Sequence, residues 1–161
     1  VDYLGSSAPN NATLTIVGER TTTEHEAIRK LLLKHVRQAG IEKRVALKSN
    51  IPPESMPALF REHDLLLMLA EREPASMSVV EALASGLVVV VRSDNRTSAF
   101  VAESGLGLVI PPFGSGGLAQ AIKDATGILR STSRTERQSM FTQLFGPRVA
   151  LASWNTLLAG K

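Results

Sequence analysis

The chain has 161 residues, enough for one domain with a sizeable core; 43% are hydrophobic and only 4% aromatic, so aliphatic packing must carry the interior. Eighteen Lys and Arg against fifteen Asp and Glu give +3 at pH 7 and a pI near 9.6, a mild excess that suits an anionic ligand. There is no basic stripe with interleaved aromatics for nucleic acid, no cysteine for disulfides or thiolate metal sites, and no apolar run long enough to span a membrane. The first residues do not read as a signal peptide, and a cytoplasmic location is compatible with these features. His25, His35 and His63 lack metal-ligand spacing and read as surface or capping residues.

Short β-branched runs alternate with amphipathic stretches, which predicts repeated βα units and a mostly parallel, doubly wound α/β sheet of about five strands. Leu14-Thr15-Ile16-Val17 is the first strand and ends at Gly18. Thr23, with Glu26 three residues on, reads as a capping box. Ile28, Leu31, Leu32, His35, Val36 and Ala39 follow at helical spacing, and Gly40 stops the helix. Val45-Ala46-Leu47 is a short strand, and the Pro52-Pro53 turn leads to a short helix containing Leu59 and Phe60.

Leu65 to Leu69 is the third strand. The next helix contains Val79-Val80-Glu81-Ala82-Leu83-Ala84, with Gly86 after its end. A helix that is apolar all round is normally buried, so Glu81 within it should be a costly carboxylate in need of a partner. Glu73 stands before that helix, so two carboxylates bracket a strand-to-helix turn, an arrangement suited to sugar and ribose hydroxyls. Val88 to Val91 lacks alternation, as a central parallel strand covered on both faces should. A helix from about Thr97 to Gly105, a strand Leu108-Val109-Ile110 and a helix through Leu118 to Ala125 follow. The polar stretch Ser131 to Gln138 reads as a hinge or a helix extension, and Phe145 to Leu158 as a last helix with Pro147 in its first turn.

In open sheets of this class ligands bind at the carboxyl ends of the strands. That rule selects Gly18-Glu19-Arg20, Lys48-Ser49, Glu71 to Ser76 and Ser93 to Thr97. Arg20 and Lys48 are candidate phosphate cations there, although each is more often an ordinary surface charge. Ser76 has no base placed to activate it and reads as a cap rather than a nucleophile. Gly114 to Gly117 lacks the lysine of a phosphate-binding loop.

From about Ala12 to the end, the ordered series resembles the carboxyl-terminal half of retaining GT-B glycosyltransferases of the group 1, glycogen synthase-like family. The residues that carry the resemblance are Ile16-Val17-Gly18, Met56-Pro57-Ala58-Leu59-Phe60 before Asp64-Leu65-Leu66-Leu67, Glu73-Pro74 through Glu81-Ala82-Leu83-Ala84-Ser85-Gly86, and Gly105 to Pro112. By this resemblance the chain is a Rossmann-like domain, 1–161, that binds a nucleotide-sugar donor for hexose transfer. Glu73 would contact the transferred sugar as the catalytic residue, and Glu81 the ribose. Gly18, Pro74, Ala75, Ser76 and Met77 would line the donor site. No cofactor and no metal ion would be required, because a helix N-terminus already favours negative charge.

The same resemblance implies a first strand with a diphosphate-gripping Arg and Lys before Val1, and an amino-terminal acceptor half in cis or as a separate chain. Membrane association, if any, would then come through that other half. Ser76 and Ala75 stand where the family has Gly and Phe, and Asn95-Arg96 where it often has a Gly-Gly pair. These departures point to the alternative, a non-catalytic interaction or regulatory module with the same fold.

Overall fold

In the computed structural model, which describes residues 2–6, 8–71, 76–112 and 117–159, the chain divides into two compact units, Val1–Met56 and Pro57–Lys161. The first contains α1 (Asp2–Ser6), β1 (Leu14–Gly18), α2 (Thr23–Gln38) and β2 (Val45–Ser49). β1 and β2 pair in parallel, with Leu14 opposite Val45 and Gly18 opposite Ser49. Leu4, Val36 and Ile41 are buried together, with Leu14 and Val45 packed against them. The Arg44 guanidinium donates to the carbonyls of Leu4, Pro9 and Ala12 at 2.7–2.9 Å, which satisfies backbone acceptors in the irregular segment before β1. The cap of α2 is Thr22 rather than Thr23: its hydroxyl accepts from the His25 N–H at 3.2 Å. With Thr22 as the cap, His25 and not Glu26 holds the third helical position, so no capping box forms, and the Glu26 carboxylate pairs with Arg20 at 2.6 Å. Gly40 follows the helix with φ +64°, as its role of helix stop requires.

After α3 (Met56–Arg61), the second unit runs β3 (Leu65–Met68), α4 (Met77–Ala84), β4 (Val88–Arg92), α5 (Ser98–Ser104), β5 (Gly107–Ile110), α6 (Gly117–Ser131), α7 (Arg134–Phe145) and α8 (Pro147–Ala159). The strands lie in the order β3-β4-β5, all parallel, with Leu65 opposite Val88 and Val89 opposite Gly107. The valine run is therefore the central strand, and every residue of β4 is buried. Val88 and Val90 pack with Ile110, Ala121 and Ala125 beneath α6. Val89 and Val91 point the other way by strand alternation, and α4 and α5 also pack on β4. At Gly107 a Cβ would lie 2.4 Å from the Val89 carbonyl oxygen and 2.5 Å from Val101 Cγ1, so the approach of α5 needs glycine there. The five expected strands are present, β1-β2 in the first unit and β3-β4-β5 in the second.

The stretch read as a hinge or a helix extension is a capped corner between two helices, with Arg134 to Gln138 forming the first turns of α7. Ser133 caps α7 in a reciprocal box: its hydroxyl accepts from the Glu136 N–H at 3.2 Å, and its own N–H donates to the Glu136 carboxylate at 2.6 Å. Arg134 then donates to the carbonyls of Phe60, His63 and Ser85, and Arg137, only 3% exposed, donates to the Gly86 carbonyl at 2.7 Å and to the Thr132 carbonyl. Carbonyls at and just beyond the ends of α3 and α4 thus find side-chain donors from one helix, that of Phe60 in addition to the His63 N–H. Gly86 takes φ +77°, and a Cβ there would lie 2.8 Å from the Arg134 carbonyl oxygen. Further along the same stripe of α7, Phe141 and Phe145 meet Phe100 of α5 at centroid distances of 6.2 and 3.9 Å.

We expect Gly86→Ala to destabilise the chain by about 1–3 kcal/mol, the range for a non-glycine residue held in a sparsely populated conformation. Urea denaturation of the purified chain measures it, and an unchanged midpoint would contradict the corner described here. The cap makes a separate, pH-dependent contribution. Hydrogen bonding from the Ser133 N–H, and then from its hydroxyl, lowers the Glu136 pKa below 4.5. A depressed carboxylate pKa stabilises above the unfolded value and is lost as pH falls through the folded one. The stability gap between the natural chain and Glu136→Gln should therefore stay level from neutrality to about pH 4.5 and narrow below it. Urea midpoints across that range test the sign.

Candidate functional site

β3 and β4 are parallel neighbours, so the segments leaving them begin side by side at one end of the sheet. Of the residues selected from sequence, Glu73, Pro74 and Ala75 lie outside the described residues. Ser76 is the N-cap residue of α4, with extended backbone (φ −92°, ψ 102°) and 5% exposure. Its carbonyl accepts from the Val79 N–H at 3.1 Å, but its hydroxyl makes no capping bond, contrary to the expected role. The first amides of α4 are thus not capped by that side chain, and they form the positive end of the helix dipole.

Met77 and Glu81 lie one helical turn apart and share a face of α4. Met77 is 64% exposed and Glu81 is exposed as well, which corrects the expectation of a buried carboxylate. The apolar residues around Glu81 do face inward: Val79, Ala82 and Leu83 are fully buried. Glu81 itself occupies the solvent-facing stripe of an amphipathic helix, where its charge needs no buried partner.

Sequence reasoning missed a charged cluster at the end of β4. Arg92 is 5% exposed, directly continuing four fully buried valines. It donates through Nε to Asp94 Oδ1 at 2.9 Å and through a terminal nitrogen to Asp94 Oδ2 at 2.7 Å, a bidentate pair. Its other terminal nitrogen reaches Glu71 Oε1 at 3.2 Å. The Asp94 bond raises the Arg92 pKa against the opposing effect of burial, and Glu71 adds to the rise. The turn that follows is built on Asn95: its N–H donates to the Arg92 carbonyl at 3.1 Å, and its Oδ1 accepts from the Thr97 N–H and hydroxyl at 2.9 and 2.6 Å. Asn95 is 1% exposed, and its Nδ2 has no hydrogen-bond partner among the described residues. A charged residue directly ending a valine run was the available signal.

Gly18 belongs to the first unit, at the carboxyl end of β1. A Cβ there would meet nothing within 4 Å, so the backbone is open to close approach. Beside it is a cavity of ≈ 260 Å³ lined by Ile16, Leu47, Glu19, Arg20, His25 and Lys48. The loops after β1 and β2 are joined there, since the Arg20 N–H donates to Asn50 Oδ1 at 2.8 Å. The guanidinium of Arg20 is engaged by Glu26, so its charge is partly neutralised locally. Among the described residues no group of three His, Asp or Glu side chains is placed to hold a metal ion, and no helix is long and apolar enough to cross a membrane.

Comparison with known proteins agrees with this architecture. Over 78 residues, 48% of this chain, it is 32% identical to mannosylfructose-phosphate synthase of Agrobacterium fabrum, of which it covers 17%. Anabaena Alr3699/HepE in complex with UDP superposes with a TM-score of 0.76 at 21% identity, over 99% of this chain and 44% of that one. The C-terminal domain of the group 1 family glycosyl transferase LpcC from Francisella tularensis gives 0.65 at 17% identity, over 86% of this chain and 88% of that domain. The chain spans less than half the length of HepE and about a sixth of the synthase. At these identities the solved structures establish the fold, a Rossmann-like α/β domain of the GT-B type. Residues 5–130 match the family model described as glycosyl transferases group 1, which covers well over half of the sequence: the chain belongs to that family.

Proposed function

We propose that this chain binds a nucleotide-sugar donor and forms the carboxyl-terminal half of a retaining glycosyltransferase that moves a hexose to an acceptor held by an amino-terminal half, in cis or on a separate chain. The observation that carries this reading is the N-terminus of α4, left without a side-chain cap at the carboxyl end of β3, in a member of the group 1 family. A helix start of this kind favours a diphosphate through oriented amides and the helix dipole. In this reading Ser76 and Met77, with Pro74 and Ala75 before them, present the backbone to the phosphates, and the reading invokes no metal ion. Glu81 accepts from the ribose hydroxyls, which its exposure permits. Glu73 contacts the hydroxyls of the transferred sugar, and Gly18 admits close backbone approach. Stabilisation of the departing diphosphate is the main contribution of this half to transfer. UDP is the first nucleotide to try, since HepE has been solved with UDP and with UDP-glucose.

A non-catalytic module of the same fold remains a second reading, supported by one observation: Arg20, the cation nearest Gly18 in sequence, is tied to Glu26 and not left for phosphate. Titration separates the two. We expect UDP and UDP-glucose to perturb the NMR signals of Ser76, Met77 and Glu81. Glu81→Gln should weaken both by about 1–3 kcal/mol, the scale of a hydrogen bond to a charged group. Glu73→Gln should weaken UDP-glucose more than UDP. Silence of α4 toward UDP, GDP, ADP and their sugar conjugates at millimolar concentration would favour the second reading.

Transfer needs more than donor binding, because an acceptor must be held and water excluded at the reacting centre. The 161-residue chain alone should give no turnover with radiolabelled UDP-glucose and added sugar acceptors. Measurable transfer would overturn the division of labour proposed here.

A further inference from the structure

We propose that Asn50 is a positioning residue for donor binding: its amide bridges to both backbone groups of Arg20 and so fixes the loop after β1 that offers the Gly18 backbone to the donor. The role rests on the donor-binding reading above, and Asn50 stands outside that reading's set of ligand contacts. Asn50 is the one non-glycine residue with positive φ among the described residues, at +52°. A Cβ disfavours this left-handed conformation, and Gly, Asn and Asp adopt it most readily. Gly would satisfy the backbone alone, and an ionised Asp offers acceptors only. Asn carries a donor and an acceptor on one amide, and both are used. Its Oδ1 accepts from the Arg20 N–H at 2.8 Å, and its Nδ2 donates to the Arg20 carbonyl at a longer 3.4 Å. The conformation and the bridge thus have one explanation, and backbone held in a sparsely populated region is concentrated at ligand sites.

The Asn50 N–H also donates to the Gly18 carbonyl at 3.1 Å, one step past the last ladder pair, Gly18 opposite Ser49. Three bonds from one residue therefore close the carboxyl end of the β1-β2 pair, the end at which sheets of this class bind ligands. On its far side the same loop is held by the first turn of α2. There the Thr21 N–H donates to His25 Nδ1 at 3.3 Å, and Arg20 Nε donates to Glu26 at 2.6 Å. Gly18, Glu19, Arg20 and Ser49 line the cavity of ≈ 260 Å³, whereas Asn50 does not. Asn50 thus acts through Arg20 and not by touching what enters the cavity. Gly18, Glu19, Arg20 and Asn50 are all exposed. The bridge therefore adds little to the core, and its consequence is where the loop stands, not whether the chain folds.

The test compares the natural chain with Asn50→Gly and Asn50→Asp. Asn50→Gly keeps the left-handed backbone without strain and removes the bridge, so its melting temperature should stay close to the natural one. The Arg20 amide proton, which the bridge holds, should exchange with deuterium roughly tenfold faster, the factor that corresponds to one hydrogen bond. In NMR titrations with UDP and UDP-glucose followed at Gly18, both dissociation constants should rise about threefold to tenfold. Asn50→Asp keeps an acceptor for the Arg20 N–H and loses the donor, so it should recover part of both effects. Faster Arg20 exchange with unchanged nucleotide affinity overturns the positioning role alone. Weakened affinity with Arg20 exchange unchanged also overturns it, by showing that Asn50 meets the ligand itself. So does nucleotide binding that leaves the Gly18 signal of the natural chain unperturbed. A natural chain that binds neither nucleotide overturns the donor reading, and the positioning role with it.

Discussion

The second unit depends on how α7 supplies donors to the carbonyls at the ends of α3 and α4. A helix that stops beside a sheet leaves acceptors that water cannot easily reach, and each must be bonded or the burial is costly. Arg134 and Arg137 answer this with two planar forks, spanning Phe60, His63, Ser85, Gly86 and Thr132. Burial pushes the Arg137 pKa down, and the neighbouring Arg134 charge pushes it further the same way. Five donors in a fixed plane still allow a guanidinium to meet several carbonyls at once, which a lysine ammonium cannot match in geometry. Once these contacts form, Gly86 has no room for a side chain, and β4 must leave α4 along one path.

β4 is then held at both ends by arginines with different kinds of partner. At its entrance the acceptors are backbone carbonyls, which do not titrate and are few residues from the strand. At its exit the acceptors are the carboxylates of Asp94 and Glu71, one of them mostly exposed. The entrance is therefore a permanent corner, whereas the exit rests on a bond that solvent and ligands can reach. That polarity suits an α/β sheet whose ligand end is at the carboxyl termini of its strands.

The readable parts of the sequence were those where one local rule dominates. The valine run marked the central strand because only a strand covered on both faces tolerates it. Gly40, Gly86 and Gly105 marked helix ends, and each adopts positive φ. Glu81 was misjudged because composition near a helix position does not state which face it occupies. Val79, Ala82 and Leu83 point inward, and Glu81 points out. Ser76 was placed correctly at the helix start, yet its burial without a capping bond depends on tertiary surroundings. The two arginine clusters were mostly illegible for a related reason. Arg134 bonds residues more than seventy positions away, so nothing in a local window separates it from a surface cation, and for Arg92 the only local signal was its place at the end of the valine run, since its partner Glu71 lies twenty-one positions away.

The same distance dependence explains why the proposed donor contacts and the Arg92 cluster differ in visibility. A proposed contact such as Glu81 sits in a motif, because a helix start and its side chains are fixed by short-range spacing. A residue that acts by joining two loops has no spacing of its own, since its partners are brought near by strand pairing. Leu66 opposite Val89 and Met68 opposite Val91 set that register, and the register places the segment after β3 beside the end of β4. Arg92 meets its partners only there: the sheet supplies the proximity, Asp94 orients the guanidinium, and Glu71 reaches it from the segment after β3.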